Sequence, residues 1–286
     1  MINVEAEENK CVLKIKTKSP LTIEIIEKEI YILKTISKAG KTSFIVNILD
    51  CFQTPGHGVI VMENVNCISL QRHLFWDEYF DEYRAMFYTA SIMMALHHLH
   101  ALKITHGLIN LKLQSVVLNS DGYPKLMDFS YSQMVNEDNC FDCFANDFVQ
   151  LGRCLFEMLT GDKLIMIPLK GRDQYLTKNS QACVEFLKEV TSSVQLKDKL
   201  INTNNSSNND LAAGFLTHDF FKLIKWSNLL DKIMPAPEFS PIEIKKSKKL
   251  SNVWSEIKCA EENTKLIDDM DFQELKVLNC WKHKIV

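Results

Sequence analysis

Apolar and polar positions recur along this chain in a way that predicts a small mixed unit followed by a larger helical one. Val12 to Ile15 is a short strand-like run that sets Lys14 among apolar neighbours. Beyond Pro20, Leu21 to Ile36 carries Ile26, Ile30, Leu33 and Ile36 at helical spacing, a stripe on one face. Two further β-runs, Phe44 to Phe52 and Val59 to Glu63, flank a Pro55-Gly56 turn. Asp81 to His100 is the clearest helix, with Tyr83, Met86, Phe87, Ala90, Met93 and Met94 on its broad apolar face. Short strands at Val116 to Leu118 and Lys125 to Met127, joined through Asp121-Gly122, make a hairpin that ends on Asp128 beside Phe129. Such a hairpin presents a carboxylate at a cleft. Asp147 to Thr160 is apolar in nearly every direction, so it belongs in the middle of a lobe, with Gly161 as its C-terminal cap. Cys183 to Val190 reads as part of another helix, and Asn202 to Asp210 as a polar surface loop.

Composition narrows the function classes. With 286 residues, 46% of them apolar and 24% charged, the chain can build a sizeable core. A net charge of -3 and the lack of a long basic block argue against a nucleic-acid partner; Lys245, Lys246, Lys248 and Lys249 read as a solvated tail. No apolar run reaches the roughly 18 residues that cross a bilayer, and the first ten residues are too polar for a signal peptide, so a cytoplasmic protein without a membrane partner is expected. Cys140 and Cys143 form one CxxC without a second pair, which reads as reduced thiols rather than zinc ligands. His97, His98 and His100 read as helix-end histidines with no acidic partner indicated.

The stretch from Lys103 to Ser130 resembles the catalytic and metal-binding loops of eukaryotic protein kinases, His/Tyr-Arg-Asp-Leu-Lys-x-x-Asn followed by Asp-Phe-Gly. Counted back without gaps from Asp128, the family's Lys falls on Lys112, its His/Tyr on Leu108, its Arg on Ile109, its catalytic Asp on Asn110 and its metal-binding Asn on Ser115. Lys14 and Glu29 are similar to the strand Lys and helix Glu that hold nucleotide phosphates, with Glu27 fitting nearly as well. Met62 and Glu63 fall near the hinge that meets adenine, and Asn64 to Leu70 near the linker, its usual Gly-Gly replaced by Cys67-Ile68. The resemblance also implies that Asp147 accepts hydrogen bonds from the catalytic-loop backbone, and that Leu33, Leu108 and Phe129 join the lobes in a stacked column. His218 to Phe239 is similar to the AGC signature His-x-Phe-Phe…Ile-x-Trp-x-x-Leu…Pro-Pro-Phe, and the helix ending in His100 is most similar to the cyclic-nucleotide-dependent (cGMP-dependent) branch.

The implied fold is α+β and kinase-like: a truncated small lobe over residues 1–66, a mainly helical large lobe over 67–240, and a C-terminal extension over 241–286. No Gly precedes Gly40, so the two strands and glycine-rich turn that the family places before Lys14 are expected to be absent. Only nineteen steps separate Asp128 from Asp147, without Ala-Pro-Glu, which leaves residues 131–146 as a contact surface and Ser130, Tyr131 and Ser132 as ordinary loop hydroxyls. Asn110 cannot take a hydroxyl proton, and Ser115 is a short substitute for a metal-holding Asn; Asp128 alone keeps a metal-facing carboxylate. The expectation is a catalytically inactive pseudokinase that binds another protein, with no cofactor or only weak ATP and magnesium through Lys14, Glu29 and Asp128. The alternatives are a weak ATP-dependent serine/threonine kinase and a truncated product with little function of its own.

Overall fold

The computed structural model describes residues 2–5, 10–40, 42–63, 65, 68–107, 111–136, 140–162, 175–192, 196 and 211–238. The expectations for Asn64, Cys67, Leu108, Ile109, Asn110, the loop at 202–210 and the tail from 241 onward lie outside those residues. The small lobe is a four-stranded antiparallel sheet of β1 (Ile2–Glu5), β2 (Lys10–Thr17), β3 (Ile48–Gln53) and β4 (His57–Glu63), in the order β1-β2-β4-β3. A strand therefore does precede Lys14, contrary to the expectation: Ile2 pairs with Leu13 and Val4 with Cys11. Its four residues alternate too briefly to register as a pattern.

Helix α1 (Ile23–Ala39) lays Ile26, Ile30, Leu33 and Ile36 into the core as the stripe predicts. It approaches β4 closely because Gly58 has no side chain; a Cβ there would sit 2.5 Å from Ile26 Cγ2. Phe44 to Val46, expected as the start of a strand in the small sheet, instead stitches the lobes together. Leu126 N–H donates to Phe44 O at 2.7 Å and Val46 N–H to Leu126 O at 3.0 Å. All three residues are buried, so their apolar character follows from this crossing rather than from pleated alternation.

The large lobe is helical: α2 (Leu70–Asp77), α3 (Glu82–Ala101), α4 (Cys140–Thr160), α5 (Gln181–Thr191), and the short α6 (Leu211–Phe215) and α7 (Trp226–Leu230). Asp81 caps α3 by accepting from Arg84 N–H at 2.9 Å. This helix is enclosed over most of its length, with Ala85 to Leu96 buried, although Tyr83 is exposed. Helix α4 begins seven residues before the expected Asp147, and Phe144 and Ala145 on the added turns are buried. The free surface expected over 131–146 is correspondingly smaller. Gly161 ends α4 at φ 74, where a Cβ would lie 2.4 Å from Glu78 O. Near the end of the described chain, Phe186, Phe215, Phe220 and Phe221 pack as an aromatic cluster; Leu229 is buried and Trp226 Nε1 donates to Leu216 O at 2.8 Å.

Two small antiparallel pairs place the site. β6 (Val116–Leu118) and β7 (Pro124–Leu126) form the hairpin, its turn held by Asn119 Oδ1, which accepts from the N–H groups of Asp121 and Tyr123. β5 (Ile104–Thr105) pairs with β8 (Gln133–Met134), so the chain after Asp128 folds back against the segment before the catalytic-loop region. Among the described residues no helix is long and apolar enough to cross a membrane.

Candidate active-site cleft

Side chains two apart on a strand share a face, so β2 sends Lys14 and Lys16 to the side where Val12 is buried. Helix α1 brings Glu29 to meet them, 1% exposed, while Glu27 stays on the solvent side. Lys14 Nζ lies 2.5 Å from Glu29 Oε1, 2.7 Å from Asp128 Oδ1 and 3.1 Å from Ser130 Oγ. Lys16, which the sequence did not single out, reaches Glu29 Oε2 at 2.7 Å and Ser130 Oγ at 2.6 Å. Glu29 also accepts from Phe129 N–H at 3.1 Å, which ties α1 to the hairpin's end. Asp128 occupies the left-handed region at φ 67, and Ser130 donates to its Oδ1 at 2.6 Å. Burial alone would push the Asp128 carboxyl up, but Lys14 and the Ser130 hydroxyl outweigh it and hold it well below the usual carboxylate range. The Ser130 hydroxyl is thus buried within an ion cluster and is not an ordinary loop hydroxyl.

Asp147, fully buried, shows where the catalytic-loop region begins. It accepts from His106 N–H at 2.9 Å, Gly107 N–H at 2.9 Å, Thr105 Oγ1 at 2.7 Å and His100 Nε2 at 2.9 Å. Burial opposes its ionisation, yet the bond from His100 and the other donors lower its pKa. His100 accordingly does have an acidic partner, and its ring stacks on Phe144 with centroids 4.0 Å apart.

The same geometry corrects the gapless register. The ring packed against Phe129, at 5.1 Å and nearly edge-on, belongs to His106, two residues before Leu108. His106 is buried; its Nε2 lies 3.1 Å from Met127 O, and burial lowers its pKa, outweighing the nearby carboxylates Asp147 and Asp128. Gly107 then stands where the family has Arg. It adopts φ 100, a Cβ there would lie 2.7 Å from Tyr131 O, and Ser132 Oγ donates to His106 O at 2.9 Å. A two-residue offset between His106 and Lys112 accommodates both ends of the loop. The sequence signal was Ile-Thr-His at 104–106, hidden by counting without a gap.

The remaining expected residues do not converge on this cluster. Lys112 is exposed. Its carbonyl accepts from Ser115 Oγ at 2.8 Å and its N–H lies 3.2 Å from the same oxygen, so the Ser115 hydroxyl is engaged locally at a 3₁₀ turn, Leu113–Ser115. Glu63 closes β4: its N–H donates to Asn47 O at 3.0 Å, and its carboxylate pairs with Lys125 and accepts from Asn47 N–H at 2.9 Å. Burial raises the Glu63 pKa but Lys125 and Asn47 outweigh it, leaving it lowered. Lys125, buried on β7, is a second inter-lobe tie that the sequence did not reveal.

A lysine paired to a buried helix glutamate, an aspartate at the end of a two-stranded hairpin, and a central-helix aspartate gripping the loop backbone define the two-lobed protein kinase architecture. The protein kinase domain family matches residues 4–151, just over half of the chain, and the chain belongs to that family. Among curated relatives it is 27% identical over 270 residues to protein kinase C delta type of Homo sapiens, covering 83% of this chain and 38% of that protein. It is 30% identical over 247 residues to protein kinase C eta type of Mus musculus, covering 77% and 35%. These similarities make it AGC-related. The chain therefore spans little more than a third of the length of these relatives.

To the magnesium that this family's chemistry implies, the residues present offer one carboxylate, Asp128, and at the second position only the short hydroxyl of Ser115. Magnesium is held by oxygen ligands that are free to turn toward it. Here Asp128 Oδ1 already accepts from Lys14 and Ser130, and the Ser115 hydroxyl is committed to Lys112. Among the described residues no group of His, Cys, Asp and Glu has a metal-holding arrangement.

Proposed function

We propose that this chain is a catalytically inactive protein kinase domain that acts by binding another protein. The observation that carries this reading does not depend on the register: no Asp or Glu occurs anywhere from Thr105 to Ser120. A hydroxyl substrate needs a carboxylate base on this loop, and neither Asn110 nor any neighbour supplies one. Gly107 adds to the case, since the space beyond it belongs to the Tyr131 carbonyl and leaves no path for an Arg. Meanwhile the parts that hold shape persist, Asp147 on the loop backbone and Glu29 on Lys14. Within the AGC group, similarity of the long helix to the cGMP-dependent branch is our finer reading, as is a cytoplasmic location without nucleic-acid or membrane partners.

A weak serine/threonine kinase is the second reading, favoured by the formed Lys14 to Glu29 pair and by Asp128 at the cleft. Incubating the chain with labelled ATP, magnesium or manganese and a pool of serine- and threonine-containing peptides separates the two. We expect no transfer above the background of Asp128→Ala; transfer by the natural chain that this substitution abolishes would establish the kinase.

A further inference from the structure

Ser130, which departs from the kinase pattern, and Lys16, which lies outside its motifs, meet in the cleft. Ser130 takes the place of the Gly in Asp-Phe-Gly, and Lys16 follows Lys14 on the same face of β2. Their side chains are 2.6 Å apart, and Ser130 Oγ also lies 3.1 Å from Lys14 Nζ and 2.6 Å from Asp128 Oδ1. The cluster thus holds two ammonium groups, Lys14 and Lys16, against two carboxylates, Glu29 and Asp128, a formal balance of zero. Without Lys16 the same site would carry one net negative charge, the sign that draws in a divalent cation. With Lys16, a fixed protein cation already compensates the second carboxylate, and an arriving metal meets two ammonium groups beside the one aspartate it needs.

An anion meets the opposite situation. Nucleotide phosphates are stabilised in such clefts by compensating positive charge, supplied partly by a lysine and partly by metal. Relative to a site with Lys14 alone, Lys16 removes the one net negative charge that would repel a phosphate and so takes over part of the compensation otherwise left to metal. Both lysines are partly accessible, with side chains 13% and 22% exposed, whereas Glu29 beneath them is sealed at 1%. A phosphate oxygen replacing the neutral Ser130 hydroxyl as acceptor would keep both lysines hydrogen-bonded, with Lys14 still paired to Asp128 and Glu29 undisturbed.

We propose that Lys16 is a specificity-determining residue that makes this cleft accept a polyphosphate anion free of divalent metal. The proposal rests on the reading of the cleft as one that has given up phosphoryl transfer, but it concerns binding and is tested without any transfer step. Nucleoside triphosphate and inorganic tripolyphosphate share the relevant chemistry, and both belong in the test.

Binding of ATP and of tripolyphosphate to the full chain is measured by calorimetry, each in EDTA and each in excess magnesium, for the natural sequence, Lys16→Met, Lys16→Arg and Ser130→Gly. Melting without ligand shows which variants are folded. The natural chain should bind at least one of the anions in EDTA and more weakly in magnesium. Lys16→Met should lose about tenfold or more in EDTA, the loss of one charge-assisted contact, while Lys16→Arg retains binding. Ser130→Gly, which frees an acceptor on Asp128 and keeps both lysines, should retain binding in EDTA and narrow the preference against magnesium. Equal binding of the two anions assigns recognition to the phosphate chain, and binding of ATP alone adds the nucleoside; either supports the proposal. It is overturned if neither anion binds in EDTA, if magnesium tightens binding to the natural chain, or if Lys16→Met binds as the natural chain does. Phosphoryl transfer in magnesium would instead refute the inactive reading and would be seen in a different assay.

Discussion

Glu29 and Asp147 are single carboxylates that each gather several donors, and such residues tolerate change least. Asp147 holds two backbone N–H groups, a hydroxyl and a ring nitrogen while fully buried. An amide in its place can satisfy only part of this set, so Asp147→Asn should cost about 3 kcal/mol or more in urea unfolding. The pH dependence has a definite sign. Asp147, Asp128 and Glu63 all have lowered pKa values in the folded chain, so the unfolded chain binds more protons over the acid range. Their contribution is complete above the ordinary carboxylate range and is lost as pH falls through and below about 4. Stability should therefore rise with pH across the acid range, and Asp147→Asn should flatten that rise. A slope of the same size in the variant would contradict the assignment.

At the scale of elements, the turn at His106-Gly107 and the return of β8 onto β5 form one unit, since Tyr131 O occupies the space a side chain at 107 would need. Gly107→Ala forces both a disfavoured φ and a close contact, and should lower unfolding stability by about 1–3 kcal/mol. Gly40, at φ 114 with nothing near its missing Cβ, is the matched control in which only the backbone term operates. How much of this was legible follows from the length of each signal. α1, α3 and the core of α4 span several turns of periodic or continuous apolar sequence, and their existence was plain. The Lys14 to Glu29 pairing followed from the resemblance, and the structure brings the two together. β1 offered four residues, Phe44 to Val46 an apolar run whose partner lies in the other lobe, and His106 a register that its contacts with Phe129 and Asp147 reveal. Lys16 and Lys125 looked like ordinary lysines in strands, because a long polar side chain gives no sign in sequence of the carboxylate waiting for it.

Among the described residues, three sets of polar contacts of different chemistry join the lobes. Backbone bonds link Phe44 and Val46 to Leu126, Lys125 pairs with Glu63, and the Lys14, Lys16, Glu29, Asp128 and Ser130 cluster bridges β2 and α1 to the hairpin's end. Phe129 and Leu33 are buried in one continuous core with residues of both lobes. Truncating Phe129 to Ala should cost about 3–5 kcal/mol. Because that core crosses between the lobes, the loss should appear as a downward shift of a single transition, with coincident fluorescence and far-ultraviolet signals rather than two separated ones.

The account holds that the framework of a kinase persists here while the group that removes the substrate's proton does not. Single-turnover quench analysis is the most direct measurement: the chain in excess over γ-labelled ATP, with magnesium and a hydroxyl-bearing peptide, followed long enough to detect one transfer per molecule. The account predicts labelled peptide at the level given by Asp128→Ala. A burst of labelled peptide from the natural chain that is lost in Asp128→Ala would contradict it.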